Sequence, residues 1–230
     1  VIAMSFLTFF NSQKPVLFPD ITYSFYKVWA DLYRISYETP ALDENMAIRP
    51  LDYKGENGGI IFPNPNAPTG VYMPLDQVEE IVKANQDVIV IVDEAYIDFA
   101  GPSARELLSG YDNLLVVQTF SKSRSMAGVR IGFALGSPVL IKALNDVKYS
   151  YNSYTMNLPS QLAGTQAVKD RAYFEETRAK IMDTRERAKK RFAELGFTFP
   201  DSMTNFILVT HERVPARAIF DALKKERIYV

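Results

Sequence analysis

Residues Val88 to Tyr96 read Val-Ile-Val-Ile-Val-Asp-Glu-Ala-Tyr: five β-branched apolar residues in a row, then two carboxylates and a phenol. A run without polar alternation is the pattern of a strand buried on both faces, as in a parallel sheet covered by helices on each side. Asp93 then stands at the carboxyl end of that strand, where open α/β sheets place their ligands. A carboxylate behind five apolar residues is costly to ionise unless a cation meets it. The plain alternative is that Asp93 caps the next helix and Tyr96 fills the core.

Working outward, the same type of segment recurs. Ile60–Pro63 is a short buried strand, Leu114–Phe120 (LLVVQTF) another and Val129–Leu135 (VRIGFAL) a third, with shorter strands at Pro15–Phe18 and near Arg34–Tyr37. Helices are expected between them: Val1–Phe10, Tyr23–Tyr33, a segment starting at Pro74 with Leu75, Val78, Ile81 and Val82 on one face, and another opened by Ser137-Pro138. Strands alternating with helices predict an α/β fold with a mostly parallel sheet and helices on both faces. From Pro159 the pattern turns helical, with Phe174, Ile181, Ala188 and Leu195 in register and Gly196 as the stop. A strand at Asn205–Val209 and a helix after Pro215 then open part of a smaller α/β domain. The expected organisation is a large domain over residues 1–155 and a linking helix with a partial small domain over 156–230. Both ends read as cut, with an apolar run at Val1–Phe10 and a strand broken off at Arg227–Val230.

The composition narrows the function. With 47% hydrophobic and 23% charged residues and a formal net charge of -1, nothing favours a nucleic-acid partner. There is no cysteine and one histidine, His211, so thiolate and histidine metal clusters are ruled out. No run suggests a membrane span or a leader peptide, and a cytoplasmic setting is expected.

Three further polar groups stand where strands end. Asn64-Pro65-Asn66-Ala67-Pro68-Thr69-Gly70 is a stiff, turn-rich loop after Ile60–Pro63. Ser121-Lys122-Ser123 follows LLVVQTF, and a lysine there can form a Schiff base with an aldehyde and afterwards shuttle a proton. Thr119, Ser121 and, beside Gly128, Arg130 supply hydroxyls and a guanidinium able to hold a phosphate. Each element alone is weak, since most lysines are simply solvated.

The ordered set, Asn-Pro-Asn-Ala-Pro-Thr-Gly, Asp-Glu-Ala-Tyr, Thr-Phe-Ser-Lys and Ala-Gly-Val-Arg, resembles the fold-type I pyridoxal-phosphate (PLP) enzymes of the aspartate aminotransferase superfamily. Within it the whole chain looks most like the histidinol-phosphate aminotransferase family. That resemblance implies pyridoxal 5'-phosphate as cofactor, Lys122 as its Schiff-base lysine, and Asp93 as partner of the pyridine nitrogen. It further implies Tyr96 at the phenolic oxygen, Ser121 and Arg130 on the phosphate, and Tyr23, from Pro19-Asp20-Ile21-Thr22-Tyr23, stacked on the ring. Where the superfamily has an asparagine donor, this chain has Ala67, and Asn66 is expected to take over that contact. Amino acid and keto acid substrates, glutamate foremost, and a homodimer are implied as well. Aspartate or aromatic aminotransferases, threonine-phosphate decarboxylase and a PLP-holding sensor without turnover are the alternatives. By the same resemblance, the phosphate-binding amides precede Val1 and the arginine clamping the substrate carboxylate follows Val230. The 230 residues alone are therefore expected to bind the cofactor weakly, catalyse poorly and self-associate. His211 is expected at the surface, Lys189-Lys190-Arg191 on a solvated helix face, and Asn205 either facing the substrate or in a turn.

Overall fold

The structure, a computed structural model, describes residues 1–230, at Tyr151 the backbone alone. Its centre is a six-stranded sheet of β1 (Val16–Leu17), β2 (Tyr37–Glu38), β3 (Ile60–Pro63), β4 (Val90–Asp93), β5 (Leu114–Thr119) and β6 (Gly132–Gly136). The strands lie in the order β2-β1-β3-β4-β5-β6. The first five run parallel, and β6 is antiparallel to β5.

Strand residues alternate between two apolar layers, which is why the buried runs show no polar alternation. Ile60, Phe62, Val90, Val92, Leu114 and Val116 pack with Val78, Ile81 and Val82 of α3 (Leu75–Ala84). Ile61, Ile91, Leu115 and Val117 face Phe6 of α1 (Ile2–Phe9), Tyr26 and Ala30 of α2 (Phe25–Tyr33) and Leu144 of α4 (Pro138–Tyr151). Full burial of each such side chain contributes about 1.5–3 kcal/mol. The α/β fold with helices on both faces is therefore as the sequence predicts.

Several elements differ from expectation. The strand foreseen at Val129–Leu135 starts three residues later, because Ala127–Val129 forms a 3-10 turn and Arg130 a left-handed residue at φ 59°. Ser137 precedes α4 without capping it; its hydroxyl donates to the carbonyl of Asp112. The single linking helix is two, α5 (Leu158–Lys169) and α6 (Arg171–Glu194), broken where the Asp170 carboxylate accepts the amide of Tyr173. Gly196 does stop α6, at φ 83°.

Asn205–Val209 is not a strand. The Ser202 and Thr204 hydroxyls donate to the carbonyl of Phe206 and replace a ladder with a local turn. The small sheet instead pairs β7 (Phe197–Thr198) antiparallel with β8 (Thr210–His211), and α7 (Ala216–Lys225) follows Pro215 as foreseen. Arg227 takes a left-handed turn, and Ile228–Val230 are not a strand.

Candidate active site

The register of β3, β4 and β5 brings the polar loops together. Pro63 pairs with Asp93 and Asp93 with Val117, so the three loops leave one edge of the sheet at one level. The Asn64 amide donates to the Asp93 carbonyl and the Glu94 amide to the Val117 carbonyl, extending the ladder by one step past each strand.

Asp93 is 7% exposed. Its Oδ2 accepts the Tyr26 hydroxyl at 2.8 Å and its Oδ1 the Ala95 amide at 3.2 Å. Asp93 does not cap the next helical element, Ile97–Phe99, whose N-cap is Tyr96 without a side-chain cap bond; it closes a local turn at Ala95 instead. Burial raises the Asp93 pKa, while the Tyr26 and Ala95 hydrogen bonds and the Lys122 ammonium pull it back. Both direct donors are neutral, so a cationic N–H would complete the surroundings of this carboxylate.

Lys122 Nζ lies 5.1 Å from the centre of the Tyr96 ring, a cation–π placement, and donates no hydrogen bond among the described residues. The Phe206 ring stands perpendicular to the same ring, centroids 5.0 Å apart at 88°. Tyr96 is thereby held between Lys122 and a residue of the segment after β7. Thr119 Oγ1 sits 2.9 Å from Ser121 Oγ and 3.0 Å from the Ile131 carbonyl, and it accepts the Ser121 amide at 3.1 Å. Arg130, next to Ile131 in sequence, is exposed and donates to the Ala127 carbonyl at 3.1 Å. A Cβ on Gly128 would meet nothing within 4 Å, so the space beside this loop is open.

Tyr23 is 42% exposed, with Phe25 stacked against it at 5.7 Å and Tyr26 and Trp29 edge-on. Asn66 is fully engaged: its amide donates to the Ile21 carbonyl at 3.0 Å and to Thr69 Oγ1 at 3.1 Å, and its oxygen accepts the Thr22 hydroxyl. For its amide to donate to a ligand, the bond to Ile21 or to Thr69 would have to be given up. Asn64 is likewise committed to the backbone of Met73.

Tyr26 and Phe206 are the site residues that the sequence reading missed. The available signal for Tyr26 was its position three residues after Tyr23 in an aromatic-rich stretch, which suits a shared helix face. Among the other polar candidates, Asn205 is exposed, and His211 Nδ1 accepts the amides of Arg213 and Val214. Lys189 is not on a solvated face: it is 11% exposed and bridges Glu186 and Asp201.

Two cavities of about 490 and 730 Å³ lie between the Ser123–Met126 loop or β6 and helices α5 and α6. Neither is lined by Asp93, Lys122 or Tyr96, and the polar cluster, where charge and strand ends converge, is the stronger candidate. No helix among the described residues is long and apolar enough to cross a membrane.

The family model for aminotransferase class I and II matches residues 1–230. The histidinol-phosphate aminotransferase of Lactococcus lactis subsp. cremoris (strain MG1363) is 49% identical over 230 residues, covering 100% of this chain and 65% of that protein. That of Clostridium botulinum (strain Okra / Type B1) is 48% identical with the same coverage. The chain thus spans about 65% of the length of these curated relatives. Among solved structures, the histidinol-phosphate aminotransferase from Clostridium acetobutylicum superimposes with a TM-score of 0.90 at 24% identity, over 99% of this chain and 70% of that one. The enzyme from Sinorhizobium meliloti in complex with pyridoxal-5'-phosphate gives 0.88 at 23%, over 100% and 65%. These likenesses show the fold.

Proposed function

Given that the chain belongs to the class I and II aminotransferases, we propose that it is the catalytic part of a PLP-dependent histidinol-phosphate aminotransferase. The observation that carries this reading is the convergence of a buried carboxylate, Asp93, and a lysine without an acceptor, Lys122, at the carboxyl ends of adjacent parallel strands. The curated relatives named for that activity supply the reaction.

The residues fit the cofactor. Asp93 lacks a cationic hydrogen-bond donor, and the Thr119–Ser121 hydroxyl pair lies beside open space at Gly128. Bound PLP would supply an aldehyde and an electron-withdrawing ring. In this reading Lys122 would be the residue that holds the aldehyde group, and its free amine would move a proton at Nζ. Asp93 would hold the ring nitrogen protonated, and Tyr96 would donate its hydroxyl to the phenolic oxygen. Thr119, Ser121 and Arg130 bind the phosphate, for which Arg130 would exchange its bond to Ala127. Tyr23 offers a ring face for stacking. Asn66 is assigned a contact at the phenolic oxygen, made at the expense of its bond to Thr69 or Ile21.

We read residues 1–155 as the cofactor-holding domain and 156–230 as the linking helices with part of a small domain. Glutamate as donor, an imidazole acetol phosphate partner as keto acceptor, and a cytoplasmic homodimer belong to the same proposal. The test is to load the native full-length polypeptide carrying this chain with PLP. With 2-oxoglutarate as amino acceptor, glutamate formation from histidinol phosphate should exceed that from aspartate, phenylalanine or threonine phosphate. Preference for one of those would move the assignment to another aminotransferase or to a decarboxylase, and a bound cofactor without turnover would make the protein a sensor.

A further inference from the structure

We propose that Tyr26 is the positioning residue of this site: its hydroxyl, donated to Asp93 Oδ2 at 2.8 Å, aims the carboxylate and holds it ionised. Tyr26 would thereby set the proton affinity of the cationic nitrogen that Asp93 meets. The inference rests on the reading of Asp93 as partner of the PLP ring nitrogen.

Tyr26 is fully buried in the first turn of α2. Its ring is wedged by Phe6 at 6.0 Å, Phe18 at 5.8 Å and Tyr23 at 5.6 Å, which leaves the hydroxyl little freedom to turn elsewhere. A buried phenol in this chain does not always find a partner: the hydroxyl of Tyr53, also buried, has none among the described residues. Tyr26 reaches across 67 residues of sequence to one carboxylate oxygen, while Ala95 holds the other. With both oxygens anchored by groups on different elements, the carboxylate cannot rotate freely, and each oxygen keeps a lone pair for a ligand.

The direction of the bond is fixed by chemistry. Burial, and then the charge of Asp93, push the Tyr26 pKa well above its ordinary value, so the phenol keeps its proton and donates it to the ionised carboxylate, which can only accept. Desolvation works against the ionised form of Asp93, and the bond from Tyr26 is the largest effect opposing it. The other groups acting on Asp93 are the Ala95 amide and the Lys122 ammonium.

The experiment compares the native full-length polypeptide with its Tyr26→Phe variant. In the apoprotein, carbon NMR of the Asp93 carboxyl should show its titration moved upward by about one pH unit, a tenfold weaker acid. In the PLP-loaded protein, the nitrogen-15 shift of the labelled ring should report loss of the ring proton at a pH lower by a similar amount. Phe6→Leu, which disturbs the same packing but leaves the hydroxyl, should move neither titration. Fluorotyrosine at position 26, a more acidic donor of nearly the same shape, should move both in the opposite direction and serves if the phenylalanine variant does not fold. Wild-type titrations in Tyr26→Phe, or in the fluorotyrosine protein where Tyr26→Phe does not fold, overturn the inference. If the Asp93 titration moves in the apoprotein but no PLP is bound, the reading of the site fails, and this inference with it as a statement about a cofactor.

Discussion

Gly70 lies so close to Ser202 that a Cβ at position 70 would collide with the side chain and the Cα of that residue. Gly70 also has φ 78°, and its carbonyl accepts the Met203 amide at 2.8 Å. The stiff loop after β3 is thus latched onto the segment between β7 and β8. Gly70→Ala should cost about 1–3 kcal/mol, from the left-handed backbone and the overlap together. Denaturant unfolding of the full-length protein checks this; a midpoint equal to wild type would show that the latch yields at no cost.

A second latch is Arg185 of α6, which is buried and donates to the carbonyls of Phe99 at 3.0 Å and Thr204 at 3.2 Å. Arg185→Ala strands two carbonyls and should destabilise the protein by about 2 kcal/mol or more. Thermal and denaturant unfolding read the loss. A change within about 0.5 kcal/mol, the range of ordinary surface substitutions, would mean water satisfies both groups.

Both latches were beyond the reach of the sequence, whereas the centre of the sheet was not. Val88–Val92 and Leu114–Phe120 announce buried strands because hydrophobic runs report burial directly, and burial on both faces implies helices on both. Pairing direction leaves no such mark, so the reversal of β6 could not be seen; nor could the turn at Ser202–Phe206, where hydroxyls compete with the ladder. At the site, motif residues such as Asp93 and Lys122 stood out by their place behind strands. Tyr26 did not, because a helical tyrosine looks like core until its hydroxyl is seen to meet a charge.

Burial raises the pKa of Asp93, so the folded protein keeps this proton to a higher pH than the unfolded chain, where it leaves near about 3.9. The stability that this difference confers is full below that value and is lost as pH rises through the folded pKa. The unfolding free energy of wild type minus that of Asp93→Asn should therefore be greatest at acid pH and shrink on going toward neutrality. Glu94, whose pKa burial also raises, is present in both proteins and cancels. A difference that grows with pH would contradict the assigned direction. The same substitution should lower turnover by about 100-fold or more, since an amide cannot balance a cationic ring nitrogen.

The central claim is that Lys122 carries PLP. The native full-length polypeptide is incubated with PLP, reduced with borohydride to fix the cofactor where it is attached, digested, and mapped by mass spectrometry. The account predicts the added mass on the peptide containing Ser121-Lys122-Ser123, and neither label nor visible absorbance band in Lys122→Ala. Label on another lysine, or an unchanged visible spectrum in Lys122→Ala, would contradict it.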